Sequence, residues 1–172
     1  ISQSGKHLLT LINDLLDLSK IEAGKLELEP TPVYLTACIQ TVADIMQVKA
    51  EQKNVELLLE LSPQLPSSIL LDEKRLRQIL LNLLGNAVKF TDAGHVRLRI
   101  QATPQSNNLV RLTFEIEDTG IGMEAGQLQI IFQPFEQVGD IKRRASGTGL
   151  GLAISRELVR QMGGDIQVSS EP

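Results

Sequence analysis

The 172-residue chain contains one cysteine, two histidines and no tryptophan. The lone Cys38 has no internal disulfide partner. It falls among apolar residues of a predicted helix, which marks it as a buried structural thiol in a chain suited to a reducing, cytoplasmic setting. Nowhere do 18 or more apolar residues run together, so no spanning helix and no direct membrane contact are expected. The first residues carry no signal-peptide pattern. A dominant charge is lacking too: 17 Lys and Arg stand against 21 Asp and Glu, and the net −4 gives no reason to expect a nucleic-acid partner. Neither histidine has metal-ligand or nucleophile spacing. His7 takes a polar position on the first helix and His95 a turn before a strand, and neither is expected to do chemistry. With 42% apolar and 22% charged residues, the composition is globular, enough for one domain and a short appendage.

The informative segment is Asn82-Leu-Leu-Gly-Asn-Ala-Val-Lys-Phe90. At 3.6 residues per turn, Asn82, Asn86 and Lys89 form one stripe, opposite a core stripe of Leu76, Leu80, Leu83, Leu84 and Ala87. Solvated helix faces favour Glu, Lys, Gln and Arg. The asparagines and Gly85 together cost about 2 kcal/mol of helix propensity relative to Ala, so something other than helix stability selects them. An amide oxygen suits a hard cation such as Mg²⁺, and an ammonium suits phosphate.

Around this stripe the pattern predicts an opening helix with Ile1, Leu8, Leu11, Leu15 and Leu18 at heptad positions, widened by Ile12 and Leu16. So wide a seam fits a helical bundle, and nothing else amphipathic within that segment can partner it, which leaves the helix frayed or self-associating. Gly24, Pro30 and Pro32 mark its end and a linker. A helix over 35–53, a strand over 55–61 and a short strand over 69–71 follow, and Asp72 caps the asparagine helix. Alternation over 96–102 and 109–117 predicts a hairpin with its turn at 103–108. Beyond it come a short helix at 124–131, a loop over 132–147, a helix at about 149–162 stopped by Gly163-Gly164, and a strand beginning at 166–169.

Three further constellations carry chemistry. The parity of the second hairpin strand puts Asp118 on the face of Val110, Leu112, Phe114 and Ile116. It is either a core-side carboxylate needing a donor, such as a purine amine, or a turn residue bonded to the backbone of Thr119 and Gly120. Gly120 and Gly122 would let the backbone approach a flat ring. Gly147-Thr-Gly-Leu-Gly-Leu152 runs into a helix and offers backbone N–H groups to phosphate, although Leu150 and Leu152 would equally anchor that helix in a core. It matches neither the dinucleotide fingerprint nor the Walker pattern. Between them, Phe132 and Phe135 are expected to pin a mobile loop, and one of Arg143 or Arg144 to reach a phosphate.

In order, these segments resemble the boxes of the ATP-binding catalytic domain of sensor histidine kinases: residues 72–91 the N box, 118–123 the G1 box, 132–138 the F box and 147–152 the G2 box. The resemblance covers the chain end to end, within a wider ATPase superfamily (GHKL) that has chaperone, gyrase and mismatch-repair branches. The asparagine-helix wording and the F box favour the kinase branch, and Ser19-Lys-Ile-Glu-Ala-Gly-Lys25 is similar to hybrid kinases in particular. The resemblance implies an α+β, two-layer sandwich of the Bergerat ATP-binding type, with a mixed, mostly antiparallel sheet, helices on one face and an N-terminal helix in front. Residues 1–24 would end the second helix of a dimerisation and phosphoacceptor bundle, 25–34 would be a linker, and 35–172 the ATP-binding domain without its final strand.

By motif, Asn86 would ligate Mg²⁺, with Asn82 supporting metal or phosphate. Lys89 would meet phosphate, and Phe90 would lie near adenine or ribose. Asp118 would accept from the adenine amine above Gly120 and Gly122. Gly147, Thr148, Gly149, Leu150, Gly151 and Leu152 would supply backbone donors to phosphate. Gln137, where some relatives place a basic residue, counts with the ATP-binding positions, and Ser146 stands where a glycine often precedes the G2 box. The implied cofactors are ATP and Mg²⁺, and the implied partners are a second copy through the bundle and a response-regulator receiver domain. No residue matches the family's phosphoacceptor histidine, so that group is expected on a bundle helix outside these residues. The rival readings are a nucleotide-sensing or docking module without kinase activity, and an ATPase of the chaperone or mismatch-repair branch.

Overall fold

The computed structural model describes residues 2–144 and 147–172, the side chains of Lys142 and Arg143 excepted. In chain order the elements are α1 (Gln3–Glu22), β1 (Thr31–Tyr34), α2 (Leu35–Gln52), β2 (Val55–Leu61), β3 (Ser68–Leu71), α3 (Glu73–Phe90), β4 (Gly94–Pro104), β5 (Val110–Asp118), α4 (Ala125–Ile130), α5 (Ile141–Arg144) and α6 (Gly151–Gln161). They fall into two compact units, Glu29–Gly122 and Ile1–Leu28 with Met123–Pro172.

In the first unit β2 and β4 run parallel, from Val55 opposite Gly94 to Leu61 opposite Ile100, and β5 returns antiparallel to β4. The sheet order is β2-β4-β5, and the parallel pair is joined by a crossover through β3 and α3, as parallel strands require. Strands β1 and β3 make a separate antiparallel ladder. Alternation sorts the sheet faces. Val96, Leu98 and Ile100 are buried, while His95, Arg97 and Arg99 face the other way among Glu60, Glu115 and Glu117. Leu35, Ile39, Val42 and Met46 of α2 and Leu76, Leu80 and Leu84 of α3 complete the core on the apolar face. Each such aliphatic side chain contributes about 1.5–3 kcal/mol by leaving water, which holds both helices to one side. The expected two-layer α+β architecture is the one observed.

Local signals explain the element ends. Asp72 Oδ1 accepts from Arg75 N–H at 3.1 Å and its Oδ2 from Glu29 N–H at 2.9 Å, so the N-cap of α3 also ties down the strand-leading segment. Strand β4 continues to Pro104, so the hairpin turn is tighter than predicted, with Asn107 and Asn108 at φ 60° and 57°. Cys38 is 2% exposed, and burial pushes its thiol up, consistent with the expected structural role.

In the second unit α1 buries no residue, and Leu8, Leu9, Ile12 and Leu16 are exposed; Ile1 lies outside the described residues. The seam is thus largely exposed, while the helix gains a neighbour from outside the opening segment. Helix α6, with Ile154, Ser155 and Leu158 buried, packs beside it. Two expectations differ. The loop over 132–147 contains the single turn α5, and residues 166–169 form no strand. Alternation makes a strand only where a neighbour supplies ladder hydrogen bonds; here the segment instead leads to Ser170, whose hydroxyl accepts from Met123 N–H at 2.9 Å. Among the described residues no helix is long and apolar enough to cross a membrane.

Candidate nucleotide site

Helix α3 positions the first group. Asn82, Asn86 and Lys89 are all half-buried, on the side away from the fully buried Leu80 and Leu84. The ammonium of Lys89 lies 5.1 Å from the centroid of the Phe90 ring, and burial lowers its pKa. No acidic side chain pairs with it among the described residues, and its placed neighbour is the Phe90 ring. Gly85 sits on the same side with nothing within 4 Å of an added Cβ, so packing does not require glycine there.

The segment after β5 supplies the second group, in the same unit. Asp118 is exposed, not core-facing. Its Oδ1 accepts from Gly120 N–H at 2.8 Å, which is the turn alternative left open by parity. The strand ends at Asp118, and the local Asx bond turns the carboxylate out of the sheet. Gly120 lies against the end of α3: an added Cβ would be 2.6 Å from the Phe90 carbonyl oxygen and 2.7 Å from Asp118 Oδ1. Ile121 N–H donates to that same carbonyl at 3.3 Å. Gly122 has φ +69°, a conformation that favours glycine. Thr119, which the motif reading passed over, accepts from His95 N–H through Oγ1 at 3.0 Å and ties the turn to β4. Thus α3 and the Asp118 turn share one backbone junction at Phe90.

The remaining candidates belong to the other unit. Phe135 N–H donates to Gly149 O at 2.8 Å, and an added Cβ on Gly149 would meet the Phe135 backbone at 2.9 Å. Gln137 Nε2 donates to Gly147 O at 2.7 Å, so its amide shapes the glycine-rich turn. Leu150 is fully buried and serves as the anchor; only its backbone faces the turn, where its N–H donates to Thr148 Oγ1 at 3.2 Å. No side chain caps α6, and the first N–H groups of the helix, at Gly151 and Leu152, have no intrahelical acceptor. Thr148 Oγ1 donates to Asp14 Oδ2 of α1 at 2.8 Å, a contact across 134 positions that no motif announced. Phe132 stacks under Arg156 at 4.5 Å, as a pin would. Phe135 does not pin the loop: its ring is 62% exposed and its φ is +68°, because the backbone bond to Gly149 fixes the residue while the ring points to water. Arg144 Nε donates to Gly139 O at 2.8 Å, which binds its guanidinium to its own loop. The Arg143 side chain and Ser146 lie outside the described residues.

The amide-and-ammonium stripe and the carboxylate turned from a strand end, in one unit, and the uncapped glycine-rich helix start, in the other, are each chemistry of the kind found in proteins that bind phosphate or a base edge. Residues 71–172 match the family described as histidine kinase-, DNA gyrase B- and HSP90-like ATPases, and the chain belongs to that family. Its relatives are sensor histidine kinases. The chain is 42% identical over 173 residues to the signal transduction histidine-protein kinase BarA of Escherichia coli K12, covering all of this chain and 19% of that protein. It is 43% identical over 178 residues to hybrid signal transduction histidine kinase A of Dictyostelium discoideum, covering 99% of this chain and 8% of that one. Among solved structures, full-length ShkA in complex with AMPPNP superposes with a TM-score of 0.77 at 42% identity, over 94% of this chain and 32% of ShkA. The chain therefore spans under a fifth of the bacterial relative's length.

Proposed function

We propose that this chain binds Mg-ATP and acts as the ATP-binding catalytic domain of a two-component sensor histidine kinase. Its γ-phosphoryl acceptor would be a histidine on a dimerisation bundle that α1 would help to form, with onward transfer to an aspartate of a receiver domain. Residues 1–24 would belong to that bundle, 25–34 to a linker and 35–172 to the ATP-binding domain, all in the cytoplasm. The observation that carries the reading is the junction at Phe90, which joins the Asn82, Asn86 and Lys89 stripe to the Asp118 turn within one unit.

The residues suit the ligand. Among the described residues no three His, Cys, Asp or Glu cluster as a protein cage. Mg²⁺ usually takes few protein oxygens and keeps phosphate and water ligands, so the Asn86 amide oxygen, supported by Asn82, is a fitting contribution. Lys89 would place its half-buried charge on the phosphates, with Phe90 beside the base or ribose. Asp118, with one oxygen held by Gly120 N–H, would accept from the exocyclic amine of adenine through the other, and Gly120 and Gly122 would leave room for the ring. The backbone of residues 147–152 would donate to phosphate, with Gln137, Arg143 and Arg144 near that turn. When bound, Mg-ATP supplies the phosphoryl group and neutralises part of its charge; the protein's work is positioning.

The test is a titration with a nonhydrolysable ATP analogue, with and without Mg²⁺, alongside Asp118→Asn. Saturable binding that strengthens with Mg²⁺ and weakens at least about ten-fold in the variant is expected, since a charge-assisted hydrogen bond to the base is lost. No binding by a folded chain refutes the reading. Addition of a histidine-bearing bundle polypeptide with ATP should then give acid-labile phosphohistidine, and its absence would remove the kinase assignment.

A further inference from the structure

Lys53 stands just past α2, and its ammonium donates to three backbone oxygens at the end of α3: Val88 at 2.8 Å, Lys89 at 2.8 Å and Thr91 at 2.7 Å. An ammonium has three protons and no acceptor site, so its donor capacity is spent there. The last carbonyls of a helix have no intrahelical donor, and here each has been found one. Ala87 O takes the Thr91 hydroxyl at 2.8 Å, Val88 O and Lys89 O take Lys53, and Phe90 O takes Ile121 N–H at 3.3 Å. The carbonyls on both sides of Phe90 are therefore held by one cation. The Phe90 carbonyl between them is the surface on which Gly120 rests with no room for a Cβ, and Gly120 N–H in turn holds Asp118.

We infer that Lys53 is a positioning residue for base selection: by pinning the end of α3 it fixes the Phe90 carbonyl, and through Gly120 and Ile121 it sets the Asp118 carboxylate at the height where a base edge is read. The inference rests on the ATP reading above. A lysine that merely capped a helix would, when removed, lower stability and weaken all nucleotides alike. A positioning lysine changes the ratio between bases, because only the Asp118 contact distinguishes them.

The test compares the nonhydrolysable ATP and GTP analogues on the full chain for wild type, Lys53→Met, Lys53→Arg and Asp118→Asn, with amide hydrogen exchange in the nucleotide-free state. Lys53→Met should reduce the ATP-over-GTP affinity ratio about ten-fold and speed exchange at Gly120 and Ile121, while Lys53→Arg, which keeps a cation at the helix end, should restore most of both. In the Asp118→Asn background, Lys53→Met should change the ratio by less than about two-fold, since coupled residues are not additive. An unchanged ratio in folded Lys53→Met overturns the inference, as does a uniform loss for both analogues. Should that variant not fold, Lys53→Gln, whose shorter neutral side chain can make at most two of the three bonds, should change the ratio in the same direction by a smaller factor of about three, and an unchanged ratio there overturns the inference. Failure of the wild type to bind either analogue overturns the ATP reading and the inference together, and is distinguished by occurring before any substitution.

Discussion

Two glycines near the candidate site should respond to the same substitution with opposite signs. In Gly120→Ala the new Cβ would lie 2.6 Å from the Phe90 carbonyl oxygen and 2.7 Å from Asp118 Oδ1, where ordinary contact begins at 3.4 Å. One obstacle is backbone and the other a carboxylate held by Gly120 itself, so the turn must recede by roughly 0.8 Å, at an overpacking cost of about 1–3 kcal/mol. That recession also breaks the Ile121 N–H bond to Phe90 O, worth about 1 kcal/mol. Together these cost about 2–4 kcal/mol, and for a chain of this size the unfolding midpoint should fall by about 4–16 °C. Affinity for the ATP analogue should fall at least ten-fold or so as Asp118 moves. In Gly85→Ala, by contrast, the methyl meets nothing within 4 Å, and the residue lies inside α3. Alanine should stabilise that helix by about 0.5–1 kcal/mol and raise the midpoint by about 1–4 °C. Thermal unfolding by circular dichroism reads both. A Gly120→Ala protein with wild-type midpoint and an Ile121 amide that exchanges at the wild-type rate would refute the junction, and a destabilised Gly85→Ala would refute the open helix face.

Asn86→Ala should stabilise α3 by about 0.5 kcal/mol through propensity alone, yet abolish the strengthening of nucleotide binding by Mg²⁺; urea unfolding and paired titrations check both. Burial lowers the Lys89 pKa in the free protein, and a bound phosphate would raise it. Binding should therefore take up a proton at alkaline pH, and affinity should fall as pH rises through the free-state pKa. Calorimetry in buffers of different ionisation enthalpy reads the proton, and Lys89→Met should remove the dependence. Burial, with a smaller push from Asp17 and an opposing hydrogen bond from Thr148, raises the pKa of Asp14. A raised carboxylate pKa gives stability that is full below the ordinary value and is lost as pH rises through the raised one. Asp14→Asn should accordingly gain on the wild type as pH rises above the ordinary carboxylate value, measured by urea unfolding at a series of pH values.

The asparagine helix, its Asp72 cap, the hairpin and the α6 boundary were legible because each rests on local periodicity or on a side chain that bonds within three or four residues. Asp118 was harder. Strand parity placed it toward the core, but parity ends with the ladder, and the Gly120 bond turns the carboxylate out at that point. Phe135 misled for a related reason: an aromatic in a loop reads as an anchor, while the backbone bond to Gly149 does the anchoring. Lys53 and Asp14 gave no signal, since a lysine at a helix end and an aspartate on an amphipathic helix are ordinary residues until their distant partners are known.

By itself the sequence determined the chemistry on offer: neutral amides and a lysine spaced on one helix face, a carboxylate before paired glycines, and a glycine-rich helix start, in the order that marks the family. It could do so because residue type and spacing fix local geometry. Only the tertiary structure decided how those offers are held. The close fit of Gly120 on the Phe90 carbonyl and the three bonds of Lys53 join segments more than 25 positions apart, and contacts of that kind depend on how the chain packs, which no local spacing encodes.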